Sequence, residues 1–398
     1  MFDLARFTAP PMITAEEVRT KLDHLAGVLG RSGRGAILLS REGAMRWLTG
    51  VRHQITDLAP DAESPVKALV RAGSSSTQIV LFTTRIEMPR VRDQVPETFK
   101  GVSGVTLDFQ EGLPPSGGGI FGPGQEGYDT VLGEIVRPLT GGFEGNQFQK
   151  LEWLCSMTTA VLIESAHQLQ AGMNGAQVRG LIFRNLAERD IECNLILVAL
   201  AGQEKHYHPL YNSRYKVENG CWAKLVAGSR YAEHIVSATA MVRYGGRISP
   251  EEARIYAALQ EGAMEYADLF RSGAIEADIH REVGARFIEV EKKRGLRGFG
   301  PSAYFHHMGG PTSPIGNRDF LIDPNGVRRM FPWMQFAINP VDVFQSTKVE
   351  MQGIVQPTGA PHILDGFRFT PPERDVYTEV RVKGGASGKV ANLVHVRR

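Results

Sequence analysis

Between Ala15 and Arg31 apolar residues fall at Val18, Leu22, Leu25, Val28 and Leu29, a spacing that lays one hydrophobic stripe along a helix. The runs GAILLS, AMRWLTGV and STQIVLFTT, rich in apolar and β-branched residues, predict strands, and the alternation predicts a small α/β domain. The stretch PPSGGGIFGPGQEG, from Pro114 to Gly127, is loop by composition. Neither GK[ST] nor GxGxxG spacing follows, so it is not a phosphate cradle. A turn cluster from Gly141 to Gly145 then leads into QFQKLEWLCSMTTAVLIESAHQLQAG, with Leu151, Leu154, Val161, Leu162, Ala166 and Leu169 near helical spacing and a stop at Gly172. The domain boundary is placed here, dividing the chain into residues 1–147 and 148–398.

The second half repeats both patterns. A helix is expected around residues 176–189, and NLILVALAG reads as a strand. The stretch His206 to Gly245 then gives a histidine-bearing turn and two paired strands. Helices are expected in EEARIYAALQEGAMEYADLFRSG and EADIHREVGARFIEVEKKRG, with Gly273 and Gly295 as stops. Short apolar runs between Gly, Pro and Asn from 301 to 360 predict a returning sheet.

Composition narrows the class. The 398 residues carry a net charge of +2 with acidic and basic residues well mixed, which argues against a nucleic-acid surface. No run approaches the roughly 20 apolar residues of a membrane span, and MFDLARFTAPPM lacks the pattern of a signal peptide, so a cytoplasmic protein is expected. Cys155, Cys193 and Cys221 have no CxxC spacing and read as buried thiols.

Several ordered phrases resemble the methionine aminopeptidase, aminopeptidase P and creatinase family, whose catalytic fold is called pita-bread. They are Trp47-Leu48-Thr49-Gly50, Gly172-Met173-Asn174-Gly175, and the frame from Gly220 through Thr239 to Gly245. The resemblance implies an α/β (α+β) protein, with an N-terminal creatinase-like α/β domain and a C-terminal pita-bread catalytic domain. That family holds two metal ions with Asp, Asp, His, Glu and Glu, since hard cations need converging carboxylates and an imidazole. By position, Val226 and Ser237 fall on the two Asp, His306 on the His, Asn339 on the first Glu and Glu350 on the last. One carboxylate and one imidazole do not make a tight dinuclear site, so no metal and no cofactor are expected.

Creatinase shares this fold without metal and uses a histidine as proton shuttle. Two histidines fit that place here: His208 before Pro209 as first choice, and His206 in His206-Tyr207-His208-Pro209 as second. Imidazole suits the task because its ordinary pKa, about 6.5, allows both acceptance and donation near neutrality. His306 and Glu350 complete the catalytic set, and Glu233, His234, His307, Arg318, Ser237 and Asn339 are expected to bind substrate. The expected activity is a metal-independent, creatinase-like hydrolase or lyase acting on a C–N or related bond of a small polar metabolite, in a homodimer. A non-catalytic module binding peptides or partners, and an Xaa-Pro-type metallopeptidase with an altered site, stand as alternatives.

Overall fold

The computed structural model describes residues 10–54, 62–73, 76–115, 120–203, 211–296, 309–314, 322–341, 347–368 and 377–396. In order, the N-terminal elements are α1 (Ala15–Arg31), β1 (Ala36–Arg41), α2 (Glu42–Thr49), β2 (Glu63–Ala72), β3 (Thr77–Thr83), α3 (Met88–Thr98), β4 (Val105–Glu111) and α4 (Tyr128–Val136). Thr14 starts α1, its hydroxyl accepting the Glu17 N–H at 3.2 Å, and the stripe predicted on α1 is buried. The four strands form a sheet in the order β1-β2-β3-β4, antiparallel except for β3 with β4.

One expectation is corrected. AMRWLTGV is not a strand: most of it is α2, ended by Gly50 in the left-handed region (φ 66°), whose N–H donates to the Arg46 carbonyl at 2.7 Å. Every residue of α2 is buried. A buried helix of only eight residues is too short for periodicity to separate it from a strand.

The rest of the chain is built from α5 (Asn146–His167), α6 (Gly175–Ala187), β5 (Glu192–Leu200), β6 (Cys221–Tyr231), β7 (His234–Tyr244), α7 (Pro250–Ala267), α8 (Glu276–Arg294), β8 (Gly310–Thr312), β9 (Gln335–Ile338), β10 (Met351–Ile354), β11 (His362–Ile363), β12 (Tyr377–Arg381), β13 (Ser387–Ala391) and β14 (Val394–Val396). Two four-stranded sheets result, β14-β7-β6-β5 and β11-β10-β9-β8, with β12 and β13 as a separate pair. On the first sheet Ala223, Leu225, Ala227, Val236, Ala238 and Ala240 share a core with α5 and α6. On the second, Phe336, Ile338 and Met351 share one with α7 and α8. Strand alternation turns the other faces toward each other, and the Gln352 side-chain amide donates to the Ser237 carbonyl at 2.6 Å between them.

The apolar core of β1 to β4 draws on residues up to Val136, and the other two large cores on residues from Leu139 onward. The halves meet through charge. Lys21 of α1 and Lys150 of α5 both bind Glu17, at 2.6 and 2.7 Å, and Glu233, at 2.9 Å each. All four side chains are about as buried as core leucines. Among the described residues no helix is long and apolar enough to cross a membrane.

Candidate functional site

The inner faces of the two sheets carry several of the candidate residues. Gly220 (φ 82°) and Gly245 (φ 62°) close the open end of the β6–β7 pair in a conformation that favours glycine. The Gly220 N–H donates to the Tyr244 carbonyl at 2.7 Å. The register then sets Val226 opposite Thr239 and Gly228 opposite Ser237. On the second sheet Met351 pairs with Ile338 and Val341 bridges Lys348, so Asn339 and Glu350 lie directly across from each other. They extend the face of Ala337 and Gln352 that looks toward β7.

Glu350 is the centre of this group. Its Oε2 accepts from the Thr239 hydroxyl at 2.7 Å and lies 3.1 Å from Lys348 Nζ. The Glu350 and Lys348 side chains are 2% and 6% exposed. On the same inner faces, Ser237 Oγ and Asn339 Oδ1 are buried with no hydrogen-bond partner among the described residues. Unsatisfied buried oxygens are costly, so these two are available to accept a hydrogen bond. Lys224, fully buried, lies on the same face of β6 as Val226.

A dinuclear metal site does not fit these donors. Valine offers hydrocarbon, serine and asparagine offer neutral oxygens, and the one carboxylate already has an ammonium group as counter-ion. Among the described residues no cluster of three or more His, Cys, Asp or Glu could hold a metal ion.

The structure brings Ser237, Asn339 and Glu350 together, with Thr239 and Lys348 added. It places Glu233 and His234 elsewhere, which corrects their expected role as substrate ligands. Both sit at the turn between β6 and β7, within the inter-domain cluster. Burial alone would raise the pKa of Glu233, but Lys150 and then Lys21 hold it well below the ordinary carboxylate range. Its oxygens are taken by two ammonium groups and the Gln147 amide. Burial drives His234 down to about 3, with Glu233 opposing the shift and Lys150 and Lys21 adding to it. A shift in that direction favours the neutral imidazole. Its Nδ1 lies 3.5 Å from the Gln335 amide, at the end of β9 remote from Asn339. His206, His208, His306, His307 and Arg318 lie outside the described residues.

Lys348 was visible only as a neighbour of Glu350 in sequence. Its i, i+2 spacing puts both side chains on one face of an extended segment, the signal that marks the pair. The thiols divide: Cys155 is buried and pushed up to about 12 by burial and then by Asp365, Glu152 and Glu350, whereas Cys193 and Cys221 are half-buried.

The sequence profile of metallopeptidase family M24 matches residues 149–381, more than half of the chain and both inner sheet faces. The chain belongs to metallopeptidase family M24. No curated protein matches it in sequence. Solved structures share the fold of this M24 protein. An Xaa-Pro dipeptidase from Bacillus anthracis superposes with a TM-score of 0.65 at 12% identity, covering 95% of this chain and 99% of that one. The prolidase of Pyrococcus horikoshii OT3 gives 0.61 at 13% identity, with 86% and 97% covered. The X-Pro aminopeptidase of Thermotoga maritima MSB8 gives 0.60 at 14%, with 86% and 96% covered. This M24 chain therefore carries the family's hydrolase fold from its first domain to its last.

Proposed function

We propose that this M24 protein is a metal-independent hydrolase, or lyase, acting on a C–N or related bond of a small polar metabolite. The observation that carries the reading is the internal ion pair: at positions where the resemblance puts metal ligands, the chain has Val226, Ser237, Asn339 and a Glu350 already paired with Lys348. The positive charge beside that carboxylate comes from the protein itself.

In this reading His208, or His206 in its place, takes a proton from water as the oxygen attacks the substrate carbon. The same imidazolium returns the proton to the nitrogen as the C–N bond breaks. Glu350, fixed by Thr239 and Lys348, accepts a hydrogen bond from a substrate N–H, and Ser237 and Asn339 use their unpartnered oxygens in the same way. His306 donates to the developing oxyanion, and His307 and Arg318 contribute to substrate binding, Arg318 by clamping a carboxylate. We place the protein in the cytoplasm as a homodimer.

Elemental analysis of the purified protein, followed by turnover assays with amides, guanidino and ureido compounds, tests the proposal. Expected are substoichiometric metal and turnover that survives chelation and is lost in His208→Ala or His206→Ala. Stoichiometric manganese, cobalt or zinc would overturn the metal-independent part. Binding of metabolites without turnover would favour the non-catalytic module.

A further inference from the structure

Building on the function proposed above for this same site, we propose that the group bound between the two inner sheet faces is a neutral carbamoyl group, as in a ureido compound or a carboxamide. Lys348 is the residue that turns away its cationic counterpart, a guanidinium.

A carboxylate oxygen has two lone pairs, and Glu350 Oε2 already has two donors, the Thr239 hydroxyl at 2.7 Å and the Lys348 ammonium at 3.1 Å. A guanidinium binds a carboxylate as a planar fork, one N–H to each oxygen, and so needs room on both. At Glu350 that fork has to displace the hydroxyl or the ammonium. It also sets a second cation beside Lys348, where solvent screens little, since the two paired side chains are 2% and 6% exposed. Like charges that close repel, and a buried cation without a counter-ion of its own is costly.

The neighbouring positions offer no charge to offset that cost. Ser237 lies two residues before Thr239 on β7 and so faces the same way, and Asn339 lies across from Glu350. Both are buried, and their Oγ and Oδ1 have no hydrogen-bond partner among the described residues. Val226, opposite Thr239, adds only hydrocarbon. Neutral oxygens accept the N–H of an amide or urea, but they do not repay the desolvation of a guanidinium. A carbamoyl group keeps the planar shape and the NH2 donors and replaces the cationic nitrogen by a carbonyl oxygen, which an ammonium attracts. Selection then comes from repelling the wrong group as much as from holding the right one.

The test uses the full chain and a matched pair, N-carbamoylglycine and guanidinoacetate, which share a carboxylate and differ only in carbonyl oxygen against cationic nitrogen. Calorimetric titration near neutral pH reads binding without turnover. N-carbamoylglycine is expected to bind ~10-fold tighter or more. Lys348→Met should narrow or reverse that ratio and Lys348→Arg should keep it, whereas loss of a merely structural lysine weakens both compounds alike. Should Lys348→Met not fold, the ratio in the parent protein decides alone. The proposal is overturned if guanidinoacetate binds as tightly as the ureido compound, if neither binds at ~10 mM, or if the ratio is unchanged in Lys348→Met. Hydrolysis of guanidinoacetate would uphold the hydrolase and sink this selectivity. Selective binding of N-carbamoylglycine without hydrolysis would uphold the selectivity and count against the hydrolase.

Discussion

Buried ionisable residues shape the stability of this protein in two opposite ways. Glu350 is held by Lys348 and Thr239 inside the sheet pair, so removing one partner strands a buried charge. Lys348→Met is expected to cost about 3 kcal/mol, and the double variant Lys348→Met with Glu350→Leu to recover most of it. Urea unfolding measures both, and additive effects would mean the pair is not coupled. His234 and His53 instead act through neutrality. Burial, the leading cause in each, sets their folded pKa values near 3 and 4, below the ordinary 6.5. The unfolded chain therefore binds protons first as pH falls, and the stability held above pH 6.5 is lost progressively toward pH 3 to 4. Glu233 adds its own loss only below its ordinary 4.5, so the window between 6.5 and 4.5 belongs to the histidines. The unfolding free energy should drop between pH 7 and pH 5, and His234→Gln should shallow that slope by about one proton. A flat profile would contradict buried neutral imidazoles.

Among the elements, the registers of the two inner sheet faces set where the positions picked out in the sequence lie. Gly220 and Gly245 fix the register of β6 and β7, which fixes which side chains look inward, and counting along the chain from Gly220 reached Val226 and Ser237. Asn339 and Glu350 were reached through separate phrases, and the β9–β10 register sets them face to face. If these four positions form one cavity, returning carboxylates to three of them should rebuild a metal centre. Val226→Asp, Ser237→Asp and Asn339→Glu combined with Lys348→Ala is expected to bind manganese or zinc stoichiometrically by elemental analysis, and the parent protein not. A quadruple variant that folds and takes up no metal would show that the positions do not converge. The expectation for α2 failed at this scale, because eight residues, all of them buried, are too few for periodicity to tell a helix from a strand.

Across the whole molecule, the Lys21, Glu17, Lys150 and Glu233 cluster pins α1 to α5 and to the turn between β6 and β7 with charges instead of a continuous apolar interface. Glu233→Gln leaves two buried ammonium groups facing one carboxylate, and is expected to lower stability by about 3 to 5 kcal/mol. Scanning calorimetry should then show the halves unfolding in separate transitions. One cooperative transition at the parent midpoint would remove the cluster from the inter-domain bond. The expected role of Glu233 at a substrate site was drawn from its place beside a histidine on the hairpin, where nothing local reveals Lys21 or Lys150. Those partners lie 212 and 83 residues away.

By itself the sequence determined the fold class, the family frame and the absence of carboxylates at Val226, Ser237 and Asn339, because periodicity, glycine conformation and residue identity are local properties. Only the tertiary structure decided which charges meet. It joined Lys348 to Glu350 and Thr239, and withdrew Glu233 and His234 into the domain contact. Electrostatic partnership depends on distance and burial, and both are set by how the sheets and domains pack.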